Sequence, residues 1–400
     1  MPALAQRLGR VKVAATVQMT IRARELRAEG HNVIALTIGE PNFASPKHAI
    51  EAGFAAAMKG DTKYPPQDGA PALKQAIQRK FKRDHGLDYA LDEIMVGNGG
   101  KQVLYNAIMA TVDEGDEVIV PAPYWSAYVL MSRLAGGEPV IVTCPQNNGF
   151  KLRPEDLVAA ITPKTKLVML NYPNNPTGAA PTEAELIALA AVLRKHPHVW
   201  VICDDMYEHL VYGDFKHTTL AQVAPDLKDR VVTVSGVSKT YAMTGWRVGF
   251  AGGPKDLIRA MVNMQGQATA GVSTVGQAAA AAALDGPQEI VADMKAQYNA
   301  RRDMVVDALN KMPGISCHKP EGAFYVFPNI AGCLGKRTPA GKVIETDADF
   351  AMACLEESHV ALVSGASFGM SPYLRISYAT DDASLEEAMS RMAKFVSSLA

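Results

Sequence analysis

The sequence predicts an α/β fold, with a large domain built on a mostly parallel sheet and a second, smaller α+β domain. Two observations predict it. Between about residues 90 and 255, short apolar runs alternate with stretches of helical period, the repetition that builds parallel sheets. Beyond about residue 287 the pattern changes to one long helical stretch followed by short strands and further helices.

In the first region strands are predicted at 93–96, 117–120, 139–144, 166–170, 199–203, 230–234 and 247–251. Their apolar runs are nearly continuous, which predicts strands buried on both faces of the sheet. Segment 182–195, with apolar residues three and four apart, predicts one of the intervening helices. In the tail, helices are predicted at 287–311, at Asp347–Ser358 and from Asp382 onward, with strands at 322–327, 360–363 and 373–378. At the other end a helix over 16–29 leads into an extended 33–38 and the turn Gly39-Glu-Pro-Asn42. Ligands of such sheets sit at the carboxyl ends of strands, so the segments that follow strands carry the functional reading.

Composition narrows the function classes. A chain of 400 residues can bury a large core and fill two domains. Forty basic against forty-one acidic side chains leave no charge excess to attract nucleic acid or a membrane surface. Cys144, Cys203, Cys317, Cys333 and Cys354 are scattered and include no C-x-x-C pair. That usage points to reduced thiols in the cytoplasm and against a disulfide framework or metal site. The first residues lack a signal peptide's apolar core, and the alanine-rich 277–284 is too short to span a bilayer.

Six segments carry candidate chemistry. Ser235-Gly-Val-Ser-Lys239 follows a strand, and Arg247 lies eight residues beyond the lysine. A lysine there must be solvated, paired or used covalently, and Schiff-base chemistry needs an amine of lowered pKa. The Ser235 and Ser238 hydroxyls and the Arg247 guanidinium suit a phosphate beside that amine. Asp204 ends another strand, either as a structural cap or as the acid that keeps a pyridine nitrogen protonated; Tyr207 follows three residues on. Asn171-Tyr-Pro-Asn-Asn-Pro-Thr-Gly178 is a turn that offers Asn175. Gly97-Asn-Gly-Gly-Lys101 enters a helix and bares backbone N–H groups to an anion, without the frame of a Walker A loop or of G-x-G-x-x-G. Trp125 follows a strand, as core or as a stacking platform. Arg375 stands amid apolar residues of an alternating strand and requires a carboxylate partner, structural or the substrate's own.

In this order the motifs resemble those of class I aminotransferases of fold type I, the aspartate aminotransferase superfamily. The resemblance runs from about Val11 to the C-terminus and adds Gly39-Glu-Pro, Tyr64-Pro-Pro-Gln-Asp-Gly69, Asn174-Asn-Pro-Thr-Gly178, Gly245-Trp-Arg247 and Gly322-Ala-Phe-Tyr325. Val11-Lys-Val-Ala-Ala-Thr16 and Lys239-Thr-Tyr-Ala-Met-Thr-Gly-Trp-Arg247 resemble the bacterial aspartate and aspartate/prephenate subgroup.

The resemblance implies a pyridoxal 5'-phosphate enzyme with a seven-stranded large domain over 47–285 and a small domain from 1–46 and 286–400. It implies a ping-pong transfer of the amino group of L-aspartate to 2-oxoglutarate, with prephenate as a further acceptor. By the same resemblance Lys239 is the Schiff-base lysine and moves the substrate proton. Asp204 pairs with the pyridine nitrogen, Asn175 and Tyr207 meet the ring oxygen, and Trp125 stacks on the ring. Gly100, Lys101, Ser235, Ser238 and Arg247 hold the phosphate. Tyr64 reaches the neighbouring subunit's cofactor, so a homodimer with shared sites is implied. Gly39, Trp125, Asn175 and Arg375 bind the amino acid.

Two departures stand out. The family's serine three residues before the lysine is Gly236 here, with Ser235 beside it. The partner arginine that reads the distal carboxylate in animal and enteric aspartate enzymes has no counterpart, because no basic residue occurs between Arg259 and Lys295. Lys12, Lys101 and Thr16 are the groups left to read that carboxylate. Another amino-acid aminotransferase, or a carbon–sulfur lyase or decarboxylase of the same fold, is the rival reading. A cofactor-binding regulator would need a basic DNA-binding segment, and none is evident.

Overall fold

Seven strands form the main sheet: β1 (Ile94–Gly97), β2 (Glu117–Ala122), β3 (Glu138–Thr143), β4 (Thr165–Asn171), β5 (Trp200–Asp204), β6 (Val231–Gly236) and β7 (Gly249–Gly252). Their spatial order is β1-β7-β6-β5-β4-β2-β3. Only β7 runs antiparallel to its neighbours β1 and β6. These positions come from a computed structural model that describes residues 4–11 and 16–400, without the side chains of Thr16, Val17, Gln18 and Thr20.

The unbroken apolar runs have a direct structural consequence. Leu167 and Met169 of β4, Ile202 of β5, and Val232 and Val234 of β6 face one core. Val168 and Leu170, Val201 and Cys203, and Val231 face the other. Helices cover both faces, so apart from the half-buried Lys166 and Trp200 the side chains of these strands are removed from water, and the alternation of period two sorts them between the cores.

Strand β3 departs from that expectation. It stands at the sheet edge, where Val140 and Val142 pack inward while Ile141 is left exposed. An apolar run specifies a strand but not its place in the sheet, and an edge strand has one neighbour and less cover.

A third core is built by residues distant in sequence. Met19, Ala23, Leu26, Val33 and Leu36 pack with side chains between Met294 and Leu399. Ile34–Ala35 pairs parallel to Val360–Ala361, and Leu374–Ser377 lies between Val363–Ser364 and Tyr325–Val326 as an antiparallel sheet. Helices Glu289–Asn310, Asp347–Ser358 and Asp382–Ser397 cover it. Met206, Tyr207, Leu210 and Tyr212, just beyond β5, join the same core. The end of β5 therefore lies where the main sheet meets this second unit.

Candidate active site

Four segments of the main sheet converge at that junction. Asn171 ends β4 and pairs in register with Asp204 at the end of β5. Lys239 lies in the helical turn Val237–Thr240 that follows β6, and Gly99 leads from β1 into helix Gly100–Thr111. With Trp125, beyond β2, these segments wall a cavity of about 340 Å³, which Gly39, Tyr325 and Arg375 close from the second unit.

Gly39 is required by close approach, since a Cβ there would meet the Tyr325 hydroxyl at 2.6 Å. The Gly39 carbonyl accepts from Lys239 Nζ. Burial pushes the Lys239 amine down to about 8; Glu40 opposes that shift, and Arg247 and Arg375 add to it. A neutral amine is therefore accessible near neutral pH, as nucleophilic or basic work demands.

Asp204 is 4% exposed. Burial raises its carboxyl to about 6, against hydrogen bonds from Tyr128 Oη (2.6 Å) and the Met206 N–H (3.3 Å). A carboxylate so placed is poised to take a cationic partner, and its pairing would favour the charged form. The neighbouring turn is internally secured: Asn171 Oδ1 accepts from the Asn175 N–H, and the Gly178 N–H donates to the Asn174 carbonyl. The Tyr207 and Tyr325 hydroxyls lie 2.9 Å apart.

The opposite end of the cavity is suited to an anion. Gly99, at φ 83°, caps helix Gly100–Thr111, whose first N–H groups have no acceptor within the helix. The Arg247 guanidinium sits so close to Gly99 that a Cβ would strike it, and a Cβ on Gly100 would strike Met206. Bare backbone, the Ser238 hydroxyl and Arg247 thus frame one space. Lys101 Nζ stands 4.9 Å from the centre of the Trp125 ring.

Arg375 is 8% exposed, yet no carboxylate lies within ion-pair distance of it among the described residues. One Nη donates to Asn175 Oδ1 at 3.1 Å and the other to the Thr37 carbonyl at 2.6 Å. Its Nε is buried without a partner, and the aromatic faces of Tyr325 and Phe368 flank the guanidinium at 4.9 Å. Of the two partners sequence left open, a structural carboxylate is thereby removed.

The cavity brings together Gly39, Gly100, Lys101, Trp125, Asn175, Asp204, Tyr207, Ser238, Lys239, Arg247 and Arg375. Ser235 is a correction. Its hydroxyl donates to Glu208 and does not line the cavity, because the end of β6 turns it away from Ser238. Tyr64 is 93% exposed on the surface, apart from the cavity lining. Lys12 lies outside the described residues, and Thr16 opens helix Thr16–Ala28 with its side chain undescribed. Sequence reasoning missed Leu104, Tyr128, Met206, Thr244 and Tyr325. Of these Tyr325 and Thr244 had a signal, as parts of the Gly322-Ala-Phe-Tyr325 and Lys239–Arg247 motifs.

Comparison with known proteins settles the family. The profile described as "Aminotransferase class I and II" matches residues 31–392. The chain belongs to that family. Among relatives of this aminotransferase, the aspartate/prephenate aminotransferase of Cereibacter sphaeroides is 53% identical over 396 residues, covering 99% of both chains. The aspartate aminotransferase of Rhizobium meliloti is 51% identical over 389 residues, covering 97% of this chain and 95% of that one. The crystal structure of an aspartate aminotransferase from Rhizobium meliloti superposes with a TM-score of 0.98 at 49% identity, covering all of both chains. The maleate complex of the Thermus thermophilus aspartate aminotransferase gives 0.91 at 38% identity, over 99% and 100% of the two chains.

Proposed function

We propose that this aminotransferase moves the amino group of L-aspartate to 2-oxoglutarate, accepts prephenate as a further oxo acid, and works with pyridoxal 5'-phosphate. The observation that carries the reading is Arg375: a buried guanidinium, without a carboxylate partner among the described residues, in the cavity that holds Lys239 and Asp204. A bidentate α-carboxylate satisfies a fork of that kind, and leaving it unpaired is costly. The relatives named for aspartate and for aspartate/prephenate support the substrates.

When bound, the cofactor supplies a carbonyl for amine exchange and a ring that takes up electrons from the substrate's α-carbon. Asp204 would hold a protonated ring nitrogen, with Tyr128 fixing its carboxylate. Asn175 and Tyr207 would contact the ring oxygen, and Trp125 would cover the ring face. Ser238, Arg247 and the N–H groups of Gly100 and Lys101 would hold the phosphate. Arg375 and Asn175 orient the amino acid so that its α-proton faces Lys239. Lys239, as a neutral amine, would take the proton from the substrate's α-carbon and hold it as an ammonium for return.

We also propose a homodimer in which Tyr64 reaches the partner's phosphate site. The exposed Tyr64 and the exposed stripe Ile50, Phe54 and Met58, spaced by four on helix Lys47–Met58, support it. Five free, buried cysteines and the absence, among the described residues, of a helix able to cross a membrane support a cytoplasmic protein. The test is product analysis with purified enzyme. Aspartate and 2-oxoglutarate should give oxaloacetate and glutamate in equal amounts, whereas release of ammonia or carbon dioxide from aspartate would replace this reading with a lyase.

A further inference from the structure

Behind the cavity floor lies a buried charged cluster that the proposed chemistry does not use. Glu208 is at its centre, in the turn that follows Asp204. Its Oε2 accepts from Lys80 Nζ and lies 2.5 Å from His85 Nε2, both on helix Pro71–His85. Its Oε1 accepts from the Ser235 hydroxyl at the end of β6. Asp84 and His209 pair at 3.1 Å beside it.

We infer that Glu208 is a positioning residue, which through Ser235 fixes the segment bearing Lys239 relative to the strand end bearing Asp204. This rests on the roles proposed above for those two residues. Three elements meet at one carboxylate. Glu208 is four residues beyond Asp204, and Ser235 is four residues before Lys239. The backbone adds only one tie between the two strand ends at this level, from the Asp205 N–H to the Val234 carbonyl. Gly236, next in the chain, has no side chain with which to hold the turn. Lys80, reaching Glu208 from helix Pro71–His85, anchors the pair to a rigid element.

The acid holding a ring nitrogen and the amine working at the substrate's α-carbon must keep their separation to within about half an ångström for efficient chemistry. A hydrogen bond to a buried carboxylate is stronger and more directional than one between neutral groups. Burial raises the proton affinity of Glu208, but Lys80, His85 and His209 more than reverse that, so it accepts as a charged group.

The test uses Ser235→Ala and Ser235→Thr, because Glu208→Gln strands the buried Lys80 cation and threatens folding. In the holoenzyme, Ser235→Ala is expected to lower kcat about tenfold, with the KM for aspartate nearly unchanged, and Ser235→Thr to restore most of it. In the cofactor-free protein, the rate at which an amine-directed acylating reagent labels Lys239, read by peptide mass spectrometry, should change several-fold at an unchanged melting temperature. Wild-type kcat and labelling rate in Ser235→Ala would overturn the inference. So would a loss of activity that follows the melting temperature and is not restored by threonine. Lys239→Ala, assayed alongside, separates the two readings. Full activity there removes the proposed role of Lys239, whereas an inactive Lys239→Ala beside a wild-type Ser235→Ala removes only the positioning role.

Discussion

Tyr128 donates a hydrogen bond from its hydroxyl to Asp204 Oδ2 at 2.6 Å, with both groups buried beneath the cavity. Burial lifts the Asp204 carboxyl to about 6, and Tyr128 is the strongest influence drawing it back down. The role proposed for Asp204 needs its carboxylate ionised, so cofactor capture by the apo-protein should weaken as pH falls through about 6. Tyr128→Phe removes a stabilising donor, and the carboxyl rises further. The midpoint of capture, followed by cofactor absorbance, is expected to move to higher pH by about one unit. An unchanged midpoint would show that Tyr128 serves packing alone.

Lys239 presents the complementary case. Its amine is held down at about 8, chiefly by burial, so its neutral fraction grows as pH rises through that value. Labelling of Lys239 in the apo-protein should follow a curve centred near pH 8, well below that of exposed lysines. Lys239→Ala should abolish turnover while leaving the melting temperature near that of the wild type. A labelling midpoint typical of surface lysine would contradict the burial argument.

Arg375→Leu replaces a buried cation by an apolar side chain in a setting already walled by Tyr325 and Phe368. Folding should tolerate the change, because no protein carboxylate loses its partner. Binding should not. Loss of a charge-assisted bidentate contact predicts a fall in kcat/KM of roughly a hundredfold, carried mostly by KM. Steady-state kinetics with aspartate decide this, and a variant with normal KM would move the α-carboxylate site elsewhere.

The parts legible in sequence were those set by local pattern. Continuous apolar runs marked strands β4, β5 and β6, and their ends delivered Asn171, Asp204 and Lys239 to one place because parallel strands share a carboxyl edge. Arg375 was legible as a charge in an apolar strand. What escaped depends on packing between distant segments. Tyr128 reaches Asp204 across 76 residues, and Lys80 reaches Glu208 across 128. No spacing rule encodes either contact. Ser235 and Ser238 were equivalent as hydroxyls near a lysine; only the direction in which β6 ends separates them. The edge position of β3 was hidden for the same reason, since its residues match those of a central strand.

With Arg375 at the α-carboxylate, as proposed, a dicarboxylic substrate brings one further charge into the cavity, where it must meet a cation. No basic residue occurs between Arg259 and Lys295, where the partner arginine of other aspartate enzymes would be expected. Lys101 lines the cavity with its Nζ 4.9 Å from the centre of the Trp125 ring, and it is not consumed by an ion pair among the described residues. Lys12 lies outside the described residues and is tested with it. An ammonium on a flexible stem can follow carboxylates at different distances, which suits both aspartate and prephenate better than a fixed guanidinium fork. Lys101→Met and Lys12→Met, assayed with aspartate, prephenate and a neutral amino acid, should lose about tenfold or more in kcat/KM for the dicarboxylic substrates alone. Equal losses for all three would assign the lysines to cofactor binding or folding, and no loss would leave the second carboxylate to another group.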